Sequence, residues 1–102
     1  MIDGTKENFK EEVLDSKLPV LVDFNAEWCG PCQAMMMTVE PLAKKAENFK
    51  VVSVNVDEER ELAEKYGVIT IPCFIVFKDG KETARDVGMM SERRLLKLVG
   101  EK

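Results

Sequence analysis

Histidine is absent from the 102 residues. Ser-His-Asp triads, papain-like Cys-His pairs and histidine-ligated zinc all need an imidazole, so all three are excluded. Long apolar runs are missing too. The longest, Cys73-Phe74-Ile75-Val76-Phe77, is far short of the ~20 residues of a membrane helix, and no membrane association is expected. There is no basic surplus: 15 Lys and Arg against 19 Asp and Glu give a net charge of −4, which argues against a nucleic-acid surface. The opening Met1-Ile2-Asp3-Gly4-Thr5-Lys6-Glu7 has no basic start followed by an apolar stretch, so no secretory signal is expected. Repeats, low-complexity tracts and Gly/Ser linkers are lacking, as are G-x-G-x-x-G and P-loop motifs. What remains, with 45% hydrophobic and 33% charged residues, reads as one ordinary globular domain over residues 1–102 with no bound cofactor, a monomer.

Thr5 is a plausible N-cap for a short amphipathic helix carrying Phe9 and Val13 and stopping before Pro19. Val20-Leu21-Val22-Asp23-Phe24 is an almost continuous apolar run, as suits a strand buried on both faces. A longer helix is expected from about Pro31 to Asn48, with Met35, Val39, Leu42, Ala46 and Phe49 on one stripe. The β-branched segment Val51–Val56 then completes a βαβ unit with a right-handed crossover. A short helix from Glu59 to Tyr66 stops at Gly67. Strands Cys73–Lys78 and Lys81–Val87 flank Asp79-Gly80, a strong signal for a tight hairpin. A last helix, about Ser91 to Gly100, turns Leu95, Leu98 and Val99 to one side. The fold class is therefore α/β, a central mixed sheet with helices on both faces.

Three cysteines, in a chain without a signal-like start, suggest a reducing compartment, here the cytoplasm, rather than a disulfide framework. Cys29-Gly30-Pro31-Cys32 falls between the end of the first buried strand and the start of the long helix. Unpaired N–H groups and the dipole at a helix N-terminus stabilise an anion, here a thiolate. Pro31 suits a first turn because its φ is already helical. Thiols three residues apart on such a turn can close a disulfide with small movement. Cys29, at the end of the turn, is the expected attacking sulfur and Cys32 the shielded, resolving one. Half of a zinc site is the competing reading, but only Cys73 remains as a further sulfur ligand, so it would need a four-cysteine site shared by two chains.

Val22-Asp23-Phe24-Asn25-Ala26-Glu27-Trp28-Cys29-Gly30-Pro31-Cys32 resembles the active-site segment of the thioredoxin family. Ile71-Pro72 before a strand resembles that family's cis-proline loop, and Phe77–Lys81 with Val87-Gly88 its hairpin and third active-site loop. The resemblance runs along nearly the whole chain, apart from a very short leading segment where the family usually has a first strand. It implies a thioredoxin-like fold and a thiol–disulfide oxidoreductase that reduces protein disulfides and is recharged by a thioredoxin reductase of unspecified type. In thioredoxin the exposed thiol of the pair stands at ~7 against ~8.5 for free cysteine, worth ~2 kcal/mol. The resemblance makes Cys29 the nucleophile, Cys32 the resolving thiol and Asp23 the buried proton acceptor and donor. An Asp inside an apolar strand should indeed be hard to ionise, unless it caps a turn or pairs with a surface lysine. Gly30, Pro31, Ile71, Pro72 and Gly88 correspond to an apolar docking patch, with Ile71 pairing its backbone to an extended substrate. Trp28 is expected to shield the disulfide or, alternatively, to pack in the core. Two other activities stay open: a binding module that uses the patch without redox chemistry, and an oxidase or isomerase on the same scaffold.

Several residues depart from the family pattern. Asn25 stands for a second tryptophan, and Gln33 for a basic residue, which leaves the Cys29 thiolate less stabilised. Ser53 replaces a lysine, so Asp23 should be still harder to ionise. Met37 stands where a kinking proline is usual and Pro41 lies one turn later, so a displaced bend is expected. Cys73 replaces a threonine and is either a packed apolar thiol or a third redox-active sulfur. Met89 and Met90 either adapt the docking surface or simply fill space. The run Asp57-Glu58-Glu59-Arg60-Glu61 reads as a solvated helix start.

Overall fold

The computed structural model describes residues 1–101. The buried run after Pro19 forms β2 (Val20–Asn25), every residue of which is buried. It is flanked by β3 (Lys50–Asn55) in parallel and by β4 (Cys73–Lys78) in antiparallel orientation. A two-residue strand, β1 (Ile2–Asp3), pairs with the outer side of β3, and β5 (Lys81–Val87) closes the other edge against β4. The order is β1-β3-β2-β4-β5, a mixed sheet. Asp79 and Gly80 both take positive φ, 52° and 78°, as a type I′ hairpin turn requires.

Alternation along the strands divides the core between two faces. Val20, Val22, Phe24, Val52, Val54, Ile75 and Phe77 meet Phe9 and Val13 from the N-terminal segment and Leu62 from α2 (Arg60–Lys65). Phe9, Tyr66 and Phe77 pack edge-on or tilted, with centroids 5.2–5.7 Å apart. On the opposite face Leu21, Val51, Phe74 and Val76 meet Met35, Val39 and Leu42 of α1 (Gly30–Lys45) and Leu95 and Val99 of α3 (Glu92–Val99). This is the expected thioredoxin-like layering, a mixed sheet with helices on both sides.

The differences from expectation are local. Helix α1 begins at Gly30, one residue before Pro31, stops at Lys45, three residues short of Asn48, and contains Pro41. Thr5 and Asn8 cap each other reciprocally, Asn8 N donating to Thr5 Oγ1 and Thr5 N to Asn8 Oδ1. The segment that follows is a π-helical turn at Lys10–Leu14, closed by Asp15 N donating to Lys10 O at 2.8 Å. Ser91 and Gly100 are the caps of α3 rather than its first and last residues; Ser91 Oγ accepts from Arg94 N, and Gly100 has φ 95°.

Strand β1 goes beyond the elements expected from sequence and depends on Gly4. The Gly4 amide donates to Ser53 O at 2.7 Å, and a Cβ there would lie 2.7 Å from Val52 Cγ1 and 2.9 Å from Val54 Cγ2. Both valines are fully buried and stiff at χ1, so neither can yield cheaply. Gly4→Ala is expected to cost about 1–2 kcal/mol, overpacking outweighing the entropy gained in the unfolded chain. The midpoint of urea unfolding measures it.

Candidate functional site

β2 delivers the chain at Asn25 to a short loop, Ala26–Trp28, and α1 begins at once. Cys29 is the N-cap, with extended backbone (φ −86°, ψ 106°), and Pro31 lies in the first turn, where a missing N–H costs nothing. Cys29 Sγ accepts the Cys32 amide at 3.2 Å, so the sulfur takes the place a serine or aspartate oxygen usually fills at a helix start. Cys29 and Cys32 form a disulfide, their Cα atoms 5.2 Å apart, within the range such a bond allows. Of the two sulfur residues Cys29 is the less enclosed, 5% exposed against 1% for Cys32.

Two further loops meet this turn. The Ile71–Pro72 peptide is cis, and Ile71 O lies 4.0 Å from Cys29 Sγ. Gly88, with φ 90°, donates its amide to Pro72 O at 2.8 Å. Cys29, Cys32 and Ala26 pack together against Ile71 and Val56. Thus Gly30, Pro31, Ile71, Pro72 and Gly88 do converge around the disulfide. Gly30 and Pro31 are exposed and Ile71 is half-buried, while Pro72 is buried and contributes shape rather than surface. Met89 beside Gly88 is exposed, and Met90 N donates to Met35 Sδ on α1 at 3.4 Å, which fixes this third loop against the helix.

Asp23 sits on the sheet face that α1 covers, 1% exposed, and neither carboxyl oxygen has a hydrogen-bond partner among the described residues. Burial lifts its pKa from 3.8 to about 7. The neighbouring Asn25 amide offsets part of that push, but its hydrogens go to the Asp23 backbone carbonyl at 3.0 Å and to Ser53 Oγ at 2.8 Å. Asp23 therefore neither caps a turn nor pairs with a lysine.

Trp28 is 71% exposed, which rules out the core-packing alternative. Its indole N–H donates to Asp57 Oδ2 at 2.7 Å, and Asp57 N in turn donates to Asn55 Oδ1 at 2.8 Å, so the ring is held at the rim of the site by the turn after β3. Gln33, in sequence only a missing cation, reaches back to Ala26 O at 3.1 Å and ties the loop to the helix. Cys73 is 1% exposed, packs in the core and has its thiol pKa pushed up by burial, the position of a filler and not of an attacking sulfur. Asp57, the Asn25–Ser53 contact and the Gln33 tie lie beyond the sequence reading. The acidic run draws attention to Asp57 only as a helix start, and Asn25, Gln33 and Ser53 stand out in sequence only as departures from the family pattern, not as partners.

Among the described residues no group of three or more acidic or sulfur side chains is placed to hold a metal ion, and no helix is long and apolar enough to cross a membrane. Against known proteins, the thioredoxin family model matches residues 1–101. The chain is 42% identical to the thioredoxin of Rickettsia bellii over 96 residues, 93% of this chain and 91% of that one. It is 45% identical to thioredoxin 1 of Nostoc over 92 residues, 89% of this chain and 86% of the relative. A disulfide-bonded cysteine pair at a helix start, a cis-proline loop against it and a match of this extent agree with one another: the chain belongs to the thioredoxin family and is a dithiol–disulfide oxidoreductase that reduces protein disulfides.

Proposed function

We propose that Cys29 is the nucleophile, Cys32 the resolving thiol and Asp23 the group that takes the Cys32 proton. The Cys29 thiolate attacks one sulfur of a substrate disulfide; a Cys29–substrate disulfide forms and the other substrate sulfur leaves as a thiolate, which takes a proton from water. Cys32 Sγ–H gives its proton to the Asp23 carboxylate and attacks Cys29 Sγ. The Cys29–Cys32 bond forms and the second substrate sulfur departs as a thiolate, protonated in turn by water. The protein is thereby oxidised by two electrons and the substrate reduced by two. The observation that carries this reading is the Cys32 amide aimed at Cys29 Sγ at the start of α1, which supports a negative sulfur there.

Protein disulfides dock on Gly30, Pro31, Ile71, Pro72 and Gly88, Ile71 offering its backbone to an extended segment and Trp28 flanking the disulfide. A thioredoxin reductase restores the dithiol. The protein works as a single domain and a monomer, without a bound cofactor, in the reducing cytoplasm, where a third cysteine such as Cys73 remains a free thiol. The reduction potential against glutathione tests the direction of electron flow: thioredoxin stands at about −270 mV, and a value there is the expected result. One near the −120 mV or so of a periplasmic oxidant would overturn it in favour of the oxidase alternative.

A further inference from the structure

The Asp23 carboxyl is sealed from solvent, yet a proton acceptor must return its proton before the next turnover. While a substrate covers the docking face, that face offers no exit. The strand registers provide another. Asp3 on β1 pairs with Ser53 on β3, which pairs with Asp23 on β2, so the three side chains form one row across the sheet on the same face. Their surroundings grade from solvent to core: Asp3 is exposed, Ser53 half-buried, Asp23 buried. A cleft of about 440 Å³ opens at this edge, with Asn25, Ser53 and Asn55 lining it, and it shares no residue with the docking patch.

We propose that Ser53, held by Asn25, is a positioning residue that connects the Asp23 carboxyl to water in the β1-edge cleft, so that protons enter and leave on the side away from the substrate. The proposal rests on the assignment of Asp23 as proton acceptor. Neighbouring strands lie about 4.8 Å apart, a gap that one water can bridge between Ser53 and the Asp23 carboxyl, which has no direct partner among the described residues. Ser53 Oγ accepts from Asn25 Nδ2, which leaves its hydroxyl proton to donate elsewhere along the row. The charged groups at the cleft are Asp3, Glu27, Glu58 and Glu59. On the α1 side of the same edge stand Glu40 and Lys44, beside Asp3, and Cys73 on β4 also feels the Asp23 charge. Among the described residues no lysine or arginine acts on Asp23 itself.

Reduction of the Cys29–Cys32 disulfide by dithiothreitol, followed through the single tryptophan Trp28 from pH 5.5 to 9, tests this because Cys32 must then regain a proton. Ser53→Ala is expected to slow the reaction about 3- to 10-fold, part of what general acid–base help contributes. Added imidazole should restore the rate, and Ser53→Thr, which keeps the hydroxyl, should match the parent. A Ser53→Ala profile superimposed on the parent's, or a slowing that imidazole does not relieve, overturns the proposal. Asp23→Asn is run alongside: if it too leaves the profile unchanged, the role of Asp23 fails and this inference with it, whereas an effect of Asp23→Asn alone defeats only the inference.

Discussion

Cys32→Ser is expected to turn the protein into a covalent trap. Cys29 keeps its place at the N-cap of α1, so the first attack proceeds and a mixed disulfide with the substrate forms. Nothing then displaces the substrate, because the only other thiol, Cys73, is buried in the core. Turnover should fall by at least about 10³-fold, since a covalent route split into two easy steps has lost the second. Intact-mass measurement under non-reducing conditions should find the adduct accumulating and dithiothreitol releasing it. Cys29→Ser should abolish reduction equally but leave no adduct, as Cys32 at 1% exposure cannot reach a substrate. If the trap formed through Cys32 in that second variant, the assignment of attacking and resolving sulfurs would be reversed.

The unequal exposure of the two sulfurs is readable from sequence because it follows from position on a helix start, a local property. The same holds for the Asp79-Gly80 hairpin, the caps of α3 and the depth of Asp23 inside an apolar strand. The elements that escape are those fixed by partners far along the chain. β1 is two residues long and exists only because Gly4 lets the chain approach Val52 and Val54, so no periodicity marks it. The π register at Lys10–Leu14 retains Phe9 and Val13 on the core side and so leaves the amphipathic pattern of an α-helix intact. At the site, Asn25 reads in sequence as a tryptophan lost and Ser53 as a lysine lost. Their hydrogen bond joins residues 28 apart in sequence and depends on the β2–β3 register, which apolar alternation constrains only to within two residues. The sequence places Trp28 beside the disulfide, but its exposure depends on Asp57, 29 residues away.

Asp23→Asn is expected to stabilise the oxidised protein strongly above neutral pH and hardly at all in acid. In the folded protein burial holds the carboxyl pKa at about 7, whereas in the unfolded chain it returns to 3.8. Below 3.8 both states carry the proton and there is no ionisation penalty. Between 3.8 and about 7 the unfolded chain releases its proton while the folded one retains it, so the unfolded state binds fewer protons and stability falls as pH rises. Above about 7 the folded protein ionises as well and the penalty is complete, of the order of 4 kcal/mol from the interval between the two values. Asparagine keeps the volume and cannot ionise; its buried amide lacks partners as the protonated carboxyl does, a cost of about 1–3 kcal/mol that the two share at every pH. The difference in unfolding free energy between Asp23→Asn and the parent should therefore shift by several kcal/mol in the variant's favour between about pH 4 and pH 8. Urea unfolding of the oxidised forms at the two pH values measures it directly. A difference independent of pH would mean that Asp23 ionises in the folded state as readily as in the unfolded one, and the carboxyl could then not hold a proton near neutrality for Cys32. The stability lost through this residue is what the proton-accepting role proposed for it would cost, a strain that a purely structural residue at a fully buried strand position would have no reason to keep.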